Sequence, residues 1–537
     1  RDLHGRPPAV KRRTLLKATT GAALTLAAPH LARAKTRPLR FVPQADLAVL
    51  DPVYATAYVT RNHAFMVFDT LYGLDDDYMP QPQMVAGHFV ENDGKLWTLR
   101  LREGLVFHDG APVLARDAVA SIRRWASRDA FGASLLAATD ELSAPTDRDI
   151  RFRLKKPFPM LPLAMGRGSN TMLPVMPERL ANTPGTQQVT EMIGSGPFRF
   201  IANERVAGSR AVYERFEGYR PRESGVAQFT AGPKRVHLDR VEWHILPDAA
   251  TAAAALQAGE IDWWEQPTAD FLPLLQRNSA IATDILDRAG NIGFLRLNSL
   301  HPPFDNPAIK HALLGAINQA DFMQAVAGTD PKMWRTPAGV FTPGTPLATT
   351  AGMEAIVAAP DYDKVKRDLA AAGYRGEKVV FIAATDFPAV NALCEVSGDM
   401  FRKAGINLDY QAMDWGAVTT RRNNQETPDK GGWNAHCTYT AGYDLLNPGS
   451  NPSLNAVGRA GFVGWPTNPR LAALRSAWFD APDLAAQGAL CAEIQTEFMR
   501  DPPYIPLGQF FQATAYRKTV SGIPRGAFSL FWGITMA

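Results

Sequence analysis

Residues 96–124 read LWTLRLREGLVFHDGAPVLARDAVASIRR, and the parts of this stretch carry different periods. Across residues 95–101, Trp97, Leu99 and Leu101 alternate with Leu96, Thr98 and Arg100, so the Trp97 face is apolar. That two-residue period predicts a half-buried strand. Asp109-Gly110 is a strong tight-turn signal. After it Ala118, Ile122 and Trp125 recur at helical spacing, and Asp117 sits where the first helical turn favours a negative charge.

The same alternation of strand and helix signals continues outward through the chain, with no repeat and no long low-complexity segment. In residues 361–373, DYDKVKRDLAAAG, Val365, Leu369 and Ala372 share one face and Gly373 supplies a C-terminal cap. Leu490, Ile494 and Phe498 form another stripe before Pro502-Pro503 stops the helix. These stripes read as core. A chain of 537 residues exceeds what one hydrophobic core organises, and 46% hydrophobic with 20% charged residues is ordinary globular composition. Two or more α/β or α+β lobes are expected.

The N-terminus is of another kind. Lys11-Arg12-Arg13-Thr14-Leu15-Leu16-Lys17 is a basic start, Ala18 opens a short and weakly apolar run, and Ala32-Arg33-Ala34 is a small-x-small cleavage pattern. This order predicts a twin-arginine export signal over residues 1–34. The run is too short to span a bilayer as a helix, and no Cys stands near the cleavage site to carry a lipid. A soluble periplasmic protein is expected. Seven of the 57 Lys and Arg and one of the 53 Asp and Glu lie in residues 1–34, which leaves a formal charge of −2 on the remainder. The basic balance therefore belongs to the signal, and no nucleic-acid partner is expected. Cys394, Cys437 and Cys491 are too few for a disulfide framework; one disulfide with a leftover thiol and three buried thiols both fit.

The commoner catalytic signatures are absent. There is no G-x-S-x-G elbow, the nearest being GASLL at Gly132, and no phosphate loop or G-x-G-x-x-G turn. H-E-x-x-H is missing and the ten His never pair at metal-ligand spacing, so neither a metal nor a cofactor is expected. Each absence is weak alone, because many active sites assemble from distant residues. Together they favour binding over catalysis, with an exported hydrolase as the alternative class.

After residues 96–124 come IGSGPFRF from Ile193, ALQAGEIDWW from Ala255, LRLNSLHPPFDNPAIKHAL from Leu295, YDKVKRDLAAAGY from Tyr362, AGINLDYQAMDW from Ala404 and PPYIPLGQF from Pro502. In this order the motifs resemble the solute-binding proteins of ABC importers in the dipeptide, oligopeptide and nickel group, bacterial solute-binding family five. Leu114 stands where that family commonly has a Thr cap, a loss of about 1 kcal/mol locally. The resemblance implies an α/β, two-lobed, hinged periplasmic binding protein fold with an extra subdomain in the first lobe. It further implies a non-enzymatic monomer that captures a small-molecule solute and delivers it to the membrane permease and ATPase of an ABC importer. By the same analogy residues 35–75, 195–290 and 507–537 form lobe I, 76–194 the extra subdomain and 291–506 lobe II. The segments crossing between lobes form the hinge, which closes through differential affinity for ligand.

The resemblance also places the loop GGWNAHCTYTAGYDLLNPGSNPS, residues 431–453, against the cleft. Peptide-binding members typically read W-x-x-D there, and the Asp pairs with the ligand's α-amino group. This chain has His436 instead, and an uncharged imidazole cannot replace a carboxylate in holding an ammonium. Asp444 substitutes if Cys437 and the residues up to Tyr443 bulge into the cleft. The pattern His436-x-Thr438-Tyr439 followed by Tyr443-Asp444 is similar to the nickel-chelate binders, in which two aromatics hold the complexed metal and an Arg, here Arg167, binds the chelator's carboxylate. Tyr54 or Tyr58 closes the near side. The expected ligand-binding set is therefore Tyr54, Tyr58, Arg167, Trp433, His436, Tyr439, Tyr443 and Asp444. Structural alternatives stand beside it: Trp433 packing under the loop, His436 as a core histidine, Arg167 as a surface charge and Asp444 as a turn cap. Aromatic walls with one Arg suit a small carboxylate-bearing solute, such as a dipeptide or a modified amino acid, with a nickel or other metal chelate as the alternative.

Overall fold

The strand expected from the alternation after Lys95 runs Leu96–Leu101, with Trp97, Leu99 and Leu101 buried. A computed structural model describes residues 37–168 and 171–537 of the chain; the expected export signal, residues 1–34, lies outside them. Leu96–Leu101 belongs to a four-stranded antiparallel sheet in the order Val85–Glu91, Leu96–Leu101, Asp149–Leu154, Thr139–Ser143. Gly110 has φ 88°, which fits the turn signal at Asp109. Helix Ala115–Ala126 then buries Ala118, Ile122 and Trp125. Leu114 offers no capping oxygen, but the Asp117 carboxylate accepts the N–H groups of Leu114 and Glu178 at 2.8 Å each. A charge in the first turn thus does part of a cap's work.

Two larger sheets build the two lobes. The first has seven strands in the order Ile281–Asp284, Thr514–Arg517, Trp263–Trp264, Leu39–Val42, Arg240–His244, Arg210–Arg215, Phe198–Phe200. Leu39–Val42 pairs in parallel with both its neighbours, and the outer pairs are antiparallel. The second has six strands in the order Trp334–Arg335, Tyr504–Phe510, Asn291–Leu297, Ala435–Ala441, Val379–Ala384, Leu408–Met413. Strand Val379–Ala384 pairs in parallel with Leu408–Met413, and Asn291–Leu297 is antiparallel to both its neighbours.

Two expected helices lie in the second lobe. Helix Tyr362–Ala371 is capped by Asp361, whose carboxylate accepts the Lys364 N–H at 2.9 Å, and buries Val365 and Leu369. Helix Leu484–Arg500 buries Ile494 and Phe498 and stops before Pro502. Cys394, Cys437 and Cys491 are free, buried thiols, which selects the second of the two cysteine readings. The chain crosses between the large sheets twice, through residues 285–290 and 511–513.

Candidate functional site

A cavity of about 110 Å³ lies beside these two crossings, lined from the first lobe by Tyr58, Arg61, Glu265 and Phe528 and from the second by Asn291 and Tyr439. Helix Tyr58–Val67 presents Tyr58 and Arg61 one turn apart, on one face. The Tyr58 hydroxyl donates across the cleft to Asp444 Oδ2 at 2.6 Å and accepts the Ala441 N–H at 3.4 Å. The Arg61 guanidinium lies 4.7 Å from the centre of the Tyr58 ring and 4.1 Å from that of Phe528. Two aromatic faces thus favour its charge where water is excluded.

Arg61 Nε and Nη2 both donate to Asn62 Oδ1, at 3.3 and 3.2 Å. Among the described residues its buried Nη1 finds no acceptor. Burial lowers the Arg61 pKa, and Tyr58, Asp444 and Glu265 act against that. Around it stand three carboxyl groups. Glu265 accepts from Asn62 Nδ2 at 2.8 Å, Ser529 Oγ at 2.8 Å and the Gln44 N–H at 2.7 Å, while burial raises its pKa. Asp287, on the first crossing, accepts the Ala289 N–H at 2.8 Å and is pushed up to about 7 by burial. Asp444 is raised by burial too, and its Oδ1 has no partner among the described residues. One guanidinium with an open donor and carboxyl groups with open acceptor capacity suit a ligand that carries both a carboxylate and an amine.

The expected site residues divide. Tyr58 and Tyr439 line the cavity, and Asp444 reaches it through Tyr58. Tyr439 meets Phe510 and Phe387 at 5.2 and 5.6 Å, and burial pushes its hydroxyl up to about 12. Tyr443 is buried behind this wall: its hydroxyl accepts the Gly168 N–H at 2.7 Å, and its ring packs on Tyr78, Phe229 and Phe528. It borders a smaller apolar cavity of about 50 Å³, together with Arg167.

Four expectations need correction. Arg167 does not line the main cavity; its Nη1 bonds both Asp129 oxygens at 3.0 Å, and the same carboxylate caps helix Ala130–Ala137. Trp433 is fully buried and donates to the Arg422 carbonyl at 3.0 Å. His436 is fully buried as well, packs against the Trp433 ring and is pulled down to about 3 by burial. The physical reason for His436 is that the part of the expected loop that holds it is a strand, Ala435–Ala441. At about 3.3 Å per residue it carries its first residues roughly 20 Å from its last, and only the Tyr439 end meets the cavity. Tyr54 is 40% exposed, with its N–H held by Asp51, and is not among the lining residues.

Arg61, Glu265, Asp287 and Phe528 were missed. The three-residue spacing from Tyr58 to Arg61 was a usable signal; the other three come from distant segments that only the fold unites.

Comparison with known proteins gives a consistent neighbourhood. The family model described as "Bacterial extracellular solute-binding proteins, family 5 Middle" matches residues 79–452. The "Probable peptide ABC transporter periplasmic-binding protein y4tO" of Sinorhizobium fredii is 35% identical over 535 residues, covering 98% of this chain and 100% of that protein. DppA from Helicobacter pylori in complex with the peptide STSA matches with a TM-score of 0.73 at 21% identity, over 93% of this chain and 98% of that one. AgaA from "A.tumefacien R10", in complex with agropinic acid, matches with a TM-score of 0.74 at 17% identity, over 93% and 99%. These structures share the two-lobed fold. No helix among the described residues is long and apolar enough to cross a membrane.

Proposed function

The chain belongs to family 5 of the bacterial extracellular solute-binding proteins, and on that premise we propose that it is the periplasmic component of an ABC importer for a small, carboxylate-bearing, peptide-like solute. The solute is bound between the lobes and passed on to the permease without chemical change. The observation that carries this reading is Arg61, a buried guanidinium held between two aromatic rings with Nη1 lacking an acceptor. A carboxylate is the complementary group, and a charge-assisted hydrogen bond of this kind contributes roughly 1.5–3 kcal/mol. Asp287 and Asp444 offer acceptors for an amino group on the same solute, which suits a dipeptide or a modified amino acid; the name of the 35% identical relative points the same way. Residues 35–75, 195–290 and 507–537 act as lobe I, with 76–194 as its subdomain and 291–506 as lobe II. Export follows the twin-arginine pattern at Arg12-Arg13, which replacement of both by Lys should block.

The test is native mass spectrometry of protein taken gently from the periplasm, as wild type and as Arg61→Met. A copurified organic carboxylate, displaced in proportion by the substitution and rebound at least tenfold more weakly, supports the reading. A bound solute without a carboxylate, or one that Arg61→Met binds equally well, overturns it. Stoichiometric nickel or another metal with its chelator would put the chelate reading in its place.

A further inference from the structure

A larger cavity lies outside the cleft. A groove of about 550 Å³ runs between one end of the four-stranded sheet and the segment 219–235 of the first lobe, and it shares no lining residue with the solute cavity. Five of its lining residues are arginines: Arg102 and Arg148 from the sheet end, and Arg220, Arg222 and Arg235 from the segment opposite. Its two lining acids are Glu103 and Glu223.

Surface arginines are ordinarily offset by carboxylates; here the partners are mostly neutral carbonyls. Arg102 donates to the carbonyls of Gln83, Pro221 and Arg220 at 2.9, 3.4 and 2.9 Å. Arg222 donates through Nη1 to the carbonyls of Gln83 and Val85 at 3.1 and 2.9 Å. Carbonyl bonds fix the direction of a guanidinium without cancelling its charge. Glu103 is taken by Arg148 at 2.6 Å, which leaves Glu223 as the only other lining acid. Among the described residues no acceptor serves Arg222 Nε or Nη2, nor the side chains of Arg220 and Arg235. Burial and then the neighbouring Arg102 pull the Arg222 pKa down, and the buried Asp69 carboxylate acts against them.

We propose that this groove is a second binding site, separate from the solute cleft, for a phosphate-bearing anion. Guanidinium forks match phosphate oxygens two at a time, and the carbonyl-held arginines present them with little ordering left to do. The volume lies in the range of small-ligand sites, enough for a pyrophosphate or a phospholipid headgroup. Both sources share the chemistry, and the experiment separates them.

Calorimetric titration of the mature protein with sodium pyrophosphate, at about 150 mM salt where loose surface attraction is screened, should show saturable binding at one site. Arg220→Ser with Arg235→Ser, both exposed positions, should weaken it at least tenfold while leaving the melting temperature and cleft-solute binding unchanged. Flotation with phosphatidylglycerol vesicles, compared with phosphatidylcholine ones, forms the second arm. Binding to the anionic vesicles that the same double substitution abolishes supports the site and names the headgroup as its source, whether or not pyrophosphate binds. The proposal fails if neither probe binds saturably, or if binding survives the double substitution and merely follows ionic strength.

Discussion

Arg61 and Arg167 are both buried arginines near the cleft, and their partners decide what each does. Arg167 is matched by the Asp129 carboxylate, so its charge is spent inside the fold. Arg61 is matched by an amide oxygen and two aromatic rings, which leaves bonding capacity for a ligand. The same distinction separates Tyr439 from Trp433. Tyr439→Ala should weaken solute binding with little loss of stability, whereas Trp433→Ala, which empties a fully buried site, should cost about 3–5 kcal/mol of stability; paired calorimetric and thermal melts would show the reverse order if Trp433 were the ligand contact. Asp287 adds a pH signature. Its carboxyl titrates at about 7 in the fold against roughly 4 in an unfolded chain, so the folded state holds a proton that the unfolded state releases. That contribution to stability is complete below the unfolded value and disappears as pH rises through about 7. Between pH 5 and 8 the wild-type melting temperature should therefore fall relative to Asp287→Asn, and parallel curves for the two proteins would remove Asp287 from this role.

At the level of elements, the glycines of IGSGPFRF show what the motif is for. A Cβ on Gly194 would stand 2.1 Å from the Val67 carbonyl oxygen, and Gly196 donates its N–H to that same oxygen at 2.9 Å. The turn thus clamps the C-terminal end of helix Tyr58–Val67, whose first turn carries Tyr58 and Arg61. Gly194→Ala should destabilise by about 1–3 kcal/mol through this overlap, and it should also lower solute affinity by shifting the helix. Gly488 is the contrasting case: it lies inside helix Leu484–Arg500 with open space where a Cβ would go. Gly488→Ala should stabilise by roughly 0.5–1 kcal/mol. Urea unfolding of both variants checks the pair, and a Gly194→Ala protein as stable as the wild type would rule out the clamp.

For the whole molecule the question is which parts move together. The ion pair of Arg124 with Asp51, at 2.6 Å and almost wholly buried, ties helix Ala115–Ala126 to the first lobe. Contacts between the lobes are both polar, with Tyr58 on Asp444 in the cleft and Lys156 on Asp480 at the surface at 2.8 Å, and apolar, with Phe131 and Phe158 of the subdomain 5.1 and 5.8 Å from Phe479 and Tyr443 packed on Phe229 and Phe528. Motion should concentrate at residues 285–290 and 511–513, where the chain crosses between the two large sheets. Small-angle scattering should show a smaller radius of gyration when solute is added, and Tyr58→Phe, which removes a closed-state bond, should need more solute to reach it. A radius indifferent to solute would count against closure.

How much of this was legible in the chain depends on the range of the forces involved. Strand Leu96–Leu101, the turn at Gly110, helix Tyr362–Ala371 with its Asp361 cap and the stop before Pro502 follow from side-chain period and backbone preference, which act over a few residues, so they could be read directly. The order of motifs was enough to indicate the family and its two-lobed fold. The candidate cavity was legible only in part: of the expected residues Tyr58 and Tyr439 line it and Asp444 reaches it through Tyr58, while Arg167, Trp433 and His436 do not line it. Whether residues 435–441 form a loop or a strand depends on pairing with Asn291–Leu297, far away in sequence. Which arginine keeps free donors depends on whether a carboxylate such as Asp129 arrives from another helix. Local sequence determined the elements; tertiary structure decided which charges were left unmatched, because burial and pairing are properties of neighbours in space.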